Sequence, residues 1–211
     1  MKIAAPGYRF ILAALMLVLF GWAMEWPPLT VLGLAAGAFL IYFFRDPERP
    51  IPAQAGAVVA PADGKVIFVD TVADHCVLKA PAKRVAIFMN VFDVHVNRAP
   101  VAGTVLDTQH HPGKFLAAFR EDAAELNDRQ TWLIKDAAGR QLLMVKIAGL
   151  LARRIVPFAQ AGQRLDRGQR LGMICFGSRV DLYLPLEAET TVKVGERVLA
   201  GSTVVAKFPE N

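Results

Sequence analysis

Polar positions almost vanish from the first 44 residues, where Lys2, Arg9 and Glu25 are the only charged side chains. Two apolar runs fill this segment, "FILAALMLVLFGWAM" at 10–24 and "LTVLGLAAGAFLIYFF" at 29–44, separated by "EWPP". Each predicts a helix of about 15 residues, covering roughly 23 Å of a hydrocarbon core about 30 Å thick, which is marginal for spanning. The flanking Tyr8, Trp26 and Pro28 tolerate the interface and extend the pair into a short membrane hairpin, with Pro27 and Pro28 ending one helix and starting the next. Lys2 and Arg9 before the hairpin, and Arg45 and Arg49 after it, place both ends on the cytoplasmic side. Two other readings compete. A cleaved signal peptide fits the basic start, although no A-x-A site follows Met24 and a second apolar run does. A re-entrant pair would enter one leaflet without crossing.

After "RDPERPIP", whose prolines mark a linker, the apolar residues gather into short runs rich in Val and Ile. "AVVAPADGKVIFVD", "HCVLKA", "RVAIFMNVFDVHV", "GTVLDT", "QTWLIKD" and "QLLMVKIAG" read as strands bounded by Gly, Pro, Asp or Asn. Their close spacing leaves no room for a helix between successive strands, so the sheet is predicted to be mostly antiparallel. Residues 114–125 and 147–161 read as helices. The tail "TTVKVGERVLAGSTVVAKF", with "PADGKV", resembles the half-motifs of lipoyl-like and biotinyl-like barrels. The expected fold is mainly β (α+β). An antiparallel β core of lipoyl-like barrel-sandwich character, with few helices, occupies 45–211 and follows a two-helix membrane hairpin at 1–44.

Charge changes this picture little. A net charge of +5 over 211 residues is too dispersed for a nucleic-acid-binding surface, so no nucleic acid partner is expected. It suits an anionic lipid surface, where each nearby basic residue contributes about 1 kcal/mol. Cys76 and Cys175 form no CxxC pair, and reduced, buried thiols in a reducing compartment are the simplest reading.

Candidate chemistry is sparse. Of the four histidines, His110 and His111 are adjacent and would point to opposite faces of a strand, so no shared metal site is expected. His95 alternates with Val94 and Val96, which puts Asp93, His95 and Asn97 on one polar face, directed either at a site or simply at water. Asp63 in "PADGK" has the position of a turn residue before Gly64. The run "MICFGSRVDLYLP" sets Gly177 and the nucleophilic hydroxyl of Ser178 inside an otherwise apolar strand.

These pieces gain meaning in combination. "FFRDPER" (43–49), "PADGKV" (61–66), "FDVHVNRAP" (92–100), "HHPGKFLAAF" (110–119), "NDR" (127–129), "IAGLLARRIV" (147–156) and "GMICFGSRVDLYLP" (172–185) together resemble the phosphatidylserine decarboxylase proenzymes, in their short bacterial and archaeal form. The resemblance runs from about residue 43 to the end. It implies that 45–211 is a catalytic domain which cuts itself between Gly177 and Ser178 into chains 1–177 and 178–211. Ser178 attacks the Gly177 carbonyl, and elimination and hydrolysis convert it to a pyruvoyl group, the only cofactor. Glycine permits the strained backbone this attack needs, and a base must take the hydroxyl proton. The resemblance assigns His95 as that base and Asp63 as its orienting carboxylate.

The implied reaction converts phosphatidylserine to phosphatidylethanolamine and CO₂ at the inner membrane, with the catalytic part in the cytoplasm. The pyruvoyl ketone serves as electron sink, His95 returns the proton, and no metal takes part. Arg129, Arg153, Arg154 and Arg179 are the candidate contacts to the substrate phosphate and carboxylate. The hairpin would hold the site where a two-tailed lipid resides. His110, Gly113 and residues 115–119 form a partly apolar segment beside the bilayer. The small chain, and a second copy in a homodimer, are the expected protein partners. Two departures stand out: Arg98 replaces a second histidine of longer relatives, and "NDR" shortens the usual "NER". The alternatives are a non-catalytic, membrane-tethered adaptor with a lipoyl-like barrel, and the same chemistry on another head group.

Overall fold

The computed structural model describes residues 2–73, 77–150, 155–175 and 177–209, and the chain forms two compact units, Met1–Glu48 and Arg49–Asn211. In the first, strand β1 (Lys2–Ile3) and a 3-10 turn lead into helix α1 (Tyr8–Ala23), followed by α2 (Pro27–Phe43) and β2 (Arg45–Asp46). Proline at the first position of α2 gives up an N–H that has no intrahelical partner there. The helices cross closely because glycines face the contact: a Cβ on Gly21 would lie 2.7 Å from the Thr30 nitrogen, and one on Gly33 would meet Val18. Leu12, Leu15, Met16, Trp22, Val31, Leu32 and Leu34 point outward, each more than half exposed.

Such an apolar exterior suits lipid rather than water. The continuous helical run Ala5–Ala23, 19 residues, is long and apolar enough to cross a membrane, and Pro27–Phe43 is a shorter apolar helix. The 3-10 turn thus lengthens the first helix beyond the run at 10–24. At the open end β1 and β2 pair antiparallel, Lys2 opposite Asp46 and Ile3 opposite Arg45, so the two ends of the hairpin meet.

The second unit contains β3 (Ala57–Val59), β4 (Gly64–Val72), β5 (Ala82–Met89), β6 (Val96–Arg98), β7 (Gly103–His111), the short helix α3 (Ala123–Leu126), β8 (Arg129–Asp136), β9 (Gln141–Ile147), β10 (Ile155–Pro157), β11 (Arg164–Leu165), β12 (Arg170–Ile174), β13 (Ser178–Leu184), β14 (Glu189–Thr190), β15 (Arg197–Val198) and β16 (Val204–Lys207). Eight strands form one antiparallel sheet in the order β11-β7-β8-β9-β13-β5-β4-β15, and two three-stranded sheets follow the orders β10-β12-β6 and β14-β16-β3. Bulges at Val66/Phe68 and Val105/Asp107 curl the large sheet into a half-barrel. The fold is mostly antiparallel β with few helices, as the run spacing predicts.

Side-chain alternation divides the large sheet. Val85, Ile87, Met89, Trp132, Ile134, Leu142, Met144, Val180 and Leu182 join Val58, Ile174 and Phe208 of the small sheets in the main core. The opposite face carries a smaller cluster of Ala82, Ala123, Leu143, Val145, Ile147 and Tyr183. Strand β13 is therefore buried on both faces along its whole length, with Val180, Leu182 and Leu184 on the core side and Arg179, Asp181 and Tyr183 on the other.

Two predicted helices are corrected. Within 114–125 only the last residues are helical, because the main chain there bonds elsewhere: Lys114 N–H donates to Leu126 O, and Leu116 N–H donates to Asn127 Oδ1 at 3.0 Å. Within 147–161, Ile147 ends β9 and Ile155–Pro157 is an edge strand paired with Gly172–Ile174. A short apolar run with β-branched residues does not by itself distinguish helix from strand, and here Ile155, Val156 and Pro157 fit an edge. The unit boundary at Glu48 lies a few residues beyond the one drawn at 44.

Candidate active site

The chain passes from β12 in a small sheet to β13 in the large one through residues 175–177. Gly177 takes φ +66°, the left-handed region that glycine enters without a Cβ penalty. Ser178 then opens β13 opposite Met89 of β5. Its side chain falls on the core face and is fully buried. The hydroxyl donates to Met89 Sδ at 3.5 Å, and Asn97 Nδ2 donates to the same sulfur at 3.6 Å. A thioether is a weak acceptor, so it orients the hydroxyl while leaving the oxygen lone pairs available.

The polar face of Asp93, His95 and Asn97 points into the protein: all three are buried, His95 and Asn97 completely. His95 is joined to the end of β12, since Ile174 N–H donates to its carbonyl at 3.3 Å. Its Nδ1 lies 2.8 Å from Asp93 O. A carbonyl can only accept, so in the neutral ring Nδ1 carries the proton and Nε2 the lone pair, the form a base requires. Asp93 is fixed in turn by Asn90 N–H at 2.9 Å and by the Arg197 guanidinium.

Asp63 is nearly buried. Its carboxylate accepts from Arg49 Nη2 at 2.6 Å and from Ala200 N–H at 2.8 Å. The loop that carries it is tied to β6, where Arg98 N–H donates to Pro61 O at 2.9 Å. The Arg98 side chain, opposite in parity to His95 and Asn97, donates to Gly168 O at 2.9 Å.

The predicted substrate arginines separate. Alternation sends Arg179 to the face of β13 opposite Ser178. There it is fully buried in a two-pronged ion pair with Asp181, both bonds 2.5 Å, and donates to Arg120 O at 2.8 Å. Burial, together with the Asp181 carboxylate, raises the Tyr183 hydroxyl above the ordinary tyrosine range. Arg129 lies on the same outer face, donates to Glu125 O at 2.6 Å, and lines a polar cleft of about 450 Å³ with Arg84, His111, Thr131 and Tyr183. Arg153 and Arg154 lie outside the described residues.

A second opening, of about 290 Å³, reaches Gly177 itself and is walled by Phe88, Val91, Ala117, Ala118, Phe119 and Leu150. Arg179 holds the carbonyls of the 118–120 segment that forms part of this wall. Sequence reasoning missed Met89, Asn97 as a hydrogen-bonding partner, and Arg49 as the clamp on Asp63. Arg49 closes the block "FFRDPER", which was the one available signal for it.

A buried serine hydroxyl behind a left-handed glycine, a buried histidine in its basic tautomer just before β6, and a carboxylate held by two donors are the parts of an enzyme site. The comparisons with known proteins agree on which enzyme family. The phosphatidylserine decarboxylase profile matches residues 36–206. The phosphatidylserine decarboxylase proenzyme of Symbiobacterium thermophilum is 46% identical over 209 residues, covering 99% of this chain and 96% of its own. Those of Burkholderia ambifaria and Burkholderia multivorans are 43% identical over 213 residues, covering 99% of this chain and 97% of theirs. The chain belongs to the phosphatidylserine decarboxylase family and is a decarboxylase, which sets aside the adaptor reading.

Proposed function

We propose that the chain decarboxylates phosphatidylserine to phosphatidylethanolamine and CO₂ after cutting itself between Gly177 and Ser178. The observation that carries this reading is the buried Ser178 hydroxyl directly after a glycine at φ +66°, within a chain whose relatives bear proenzyme names. His95 takes the hydroxyl proton, with Asp63 as its orienting or activating carboxylate. The Ser178 oxygen bonds to the Gly177 carbonyl carbon, the carbon–nitrogen bond breaks, and the nitrogen gains the proton. Elimination then releases Gly177 as a carboxylate, and water replaces the nitrogen, which leaves as ammonia. The burial that surrounds Ser178 protects the ester from early hydrolysis.

The residues present suit the product. Met89, whose Sδ now accepts from the Ser178 hydroxyl, would offer an apolar neighbour to the methyl group that remains once the hydroxyl oxygen is lost. A pyruvoyl ketone at position 178 would supply an electron sink for the pair released with CO₂. His95 supplies the proton to the former α-carbon. The apolar opening at Gly177 admits the glycerol end of a lipid, and Arg179 acts by holding the wall of that opening. Arg129, Arg153 and Arg154 remain the candidates for head-group contact. The hairpin anchors the protein in the inner membrane with its ends, and the catalytic unit, in the cytoplasm.

Intact mass spectrometry of the full-length chain beside Ser178→Ala tests the reading. The expected result is two chains split after Gly177, a small chain blocked by a pyruvoyl group, CO₂ release from phosphatidylserine vesicles, and an uncut, inactive variant. A wild type that folds and remains one 23.0 kDa chain overturns it.

A further inference from the structure

Gly177 stands in open space on its own side: among the described residues beyond its chain neighbours, nothing lies within 4 Å of where its Cβ would be. Whatever holds its carbonyl for attack must therefore come from a facing segment. Gly149 is that segment. A Cβ built on Gly149 would overlap Gly177 O, well inside 3.0 Å, and would lie 3.1 Å from Gly177 C and 3.3 Å from Ala118 Cβ. The Gly177 carbonyl oxygen thus rests against a bare Cα.

The resting place is itself fixed. Ala148 N–H donates to Asp128 O at 2.9 Å, and Ala148 O accepts from Asn127 Nδ2 at 2.7 Å. The same amide bonds Leu116 in both directions, Nδ2 to Leu116 O at 2.9 Å and Leu116 N–H to Oδ1 at 3.0 Å. Asn127 is completely buried, so its bonds lock the 116–118 and 148–149 segments at one separation. This gives roles to Asn127 of "NDR" and Gly149 of "IAGLLARRIV", neither of which the catalytic assignment uses.

We propose that Gly149, held in place by Asn127, is the seat of the Gly177 carbonyl oxygen and a positioning residue for scission of the Gly177–Ser178 bond. The proposal rests on the self-cleavage reading above. Its logic is geometric. A carbon–oxygen contact settles near 3.3 Å or more, so a methyl at position 149 forces the carbonyl back by about 1 Å. The obstacle is a main-chain group, which cannot swing aside like the end of a side chain. The displaced carbonyl carbon leaves the line of approach of the Ser178 hydroxyl, and a misplacement of that size costs on the order of 100-fold in rate.

The test follows scission over time, by intact mass, in full-length wild type, Gly149→Ala and Asn127→Asp. The aspartate keeps the acceptor for Leu116 N–H and loses both Nδ2 donors. Hydroxylamine is added to trap the ester as a hydroxamate on Gly177. Both variants are also melted in the Ser178→Ala background. The expected result is scission slowed on the order of 100-fold in Gly149→Ala, a smaller slowing in Asn127→Asp, little trapped hydroxamate in either, and a melting temperature for Gly149→Ala within about 3 °C of its parent. Wild-type scission rates in Gly149→Ala overturn the seat while leaving self-cleavage intact. So does a collapse of melting temperature in Gly149→Ala, which would make Gly149 a packing residue. An uncut wild type overturns the underlying reading and the seat with it.

Discussion

Lys146 is fully buried on the core face of β9, and its Nζ has no hydrogen-bond partner among the described residues. The ammonium position lies 4.5 Å from the centre of the Trp132 ring, and only the missing Cβ of Gly172 leaves room for it. Burial holds this amine well below the ordinary lysine value of 10.5. The unfolded chain binds a proton at Lys146 up to about pH 10.4, whereas the folded chain stays neutral to a much lower pH. Because the unfolded state binds more protons, stability rises with pH, by about 1.4 kcal/mol per unit between the folded pKa and 10.4, and levels off above that. Lys146→Met keeps the volume and removes the titration. In the Ser178→Ala background, which keeps one chain throughout, urea unfolding in detergent should find Lys146→Met the more stable protein at pH 8. Its advantage should shrink steadily as the pH is raised toward 9.5, by no more than about 1.4 kcal/mol per unit. Parallel pH curves, or a Lys146→Met less stable at pH 8, would refute the reasoning.

Arg179→Met strands the fully buried Asp181 carboxylate and releases the Arg120 carbonyl, so thermal melting should show a loss of about 3–5 kcal/mol. Adding Asp181→Asn should recover part of that loss. Gly177→Ala meets open space but forces an alanine into the left-handed region at a cost of about 1–2 kcal/mol. The expected outcome is a folded protein with near-normal melting that mass spectrometry finds largely uncut, because the turn relaxes and carries the carbonyl with it.

The helix pair was legible because 1–44 has almost no polar side chains to interrupt its two apolar runs. Most strands were legible from short, β-branched runs between turn residues, but "HCVLKA" is no strand: its described residues, 77–80, form the turn that joins β4 to β5. Residues 147–161 misled because an apolar run ending in Ile155, Val156 and Pro157 satisfies both patterns until its edge partner β12 is known. Whether His95 and Asn97 faced water or the interior depended on what covers β6, which alternation does not encode. Parity did offer one unused signal: Ser178 and Arg179 are adjacent in a strand, so their side chains must part. The clamps on the site were illegible for a different reason. Arg49 on Asp63, Met89 under Ser178 and Asn127 on Leu116 and Ala148 join residues 11 to 89 positions apart, and no period links them.

Strand β13, flanked by β5 and β9, begins at the proposed cut. Beyond it, β15 pairs with β4 and β16 with β3, so the segment after Gly177 is woven into strands that precede it. Under the proposed chemistry the prosthetic group is then the first residue of a central strand that cannot be withdrawn without dismantling the sheet. A cell could neither recharge a spent protein from a free cofactor supply nor exchange its small chain for a fresh one. On that reading each translated chain would receive one reactive carbonyl for its lifetime, and a spent one could be replaced only by making the protein anew.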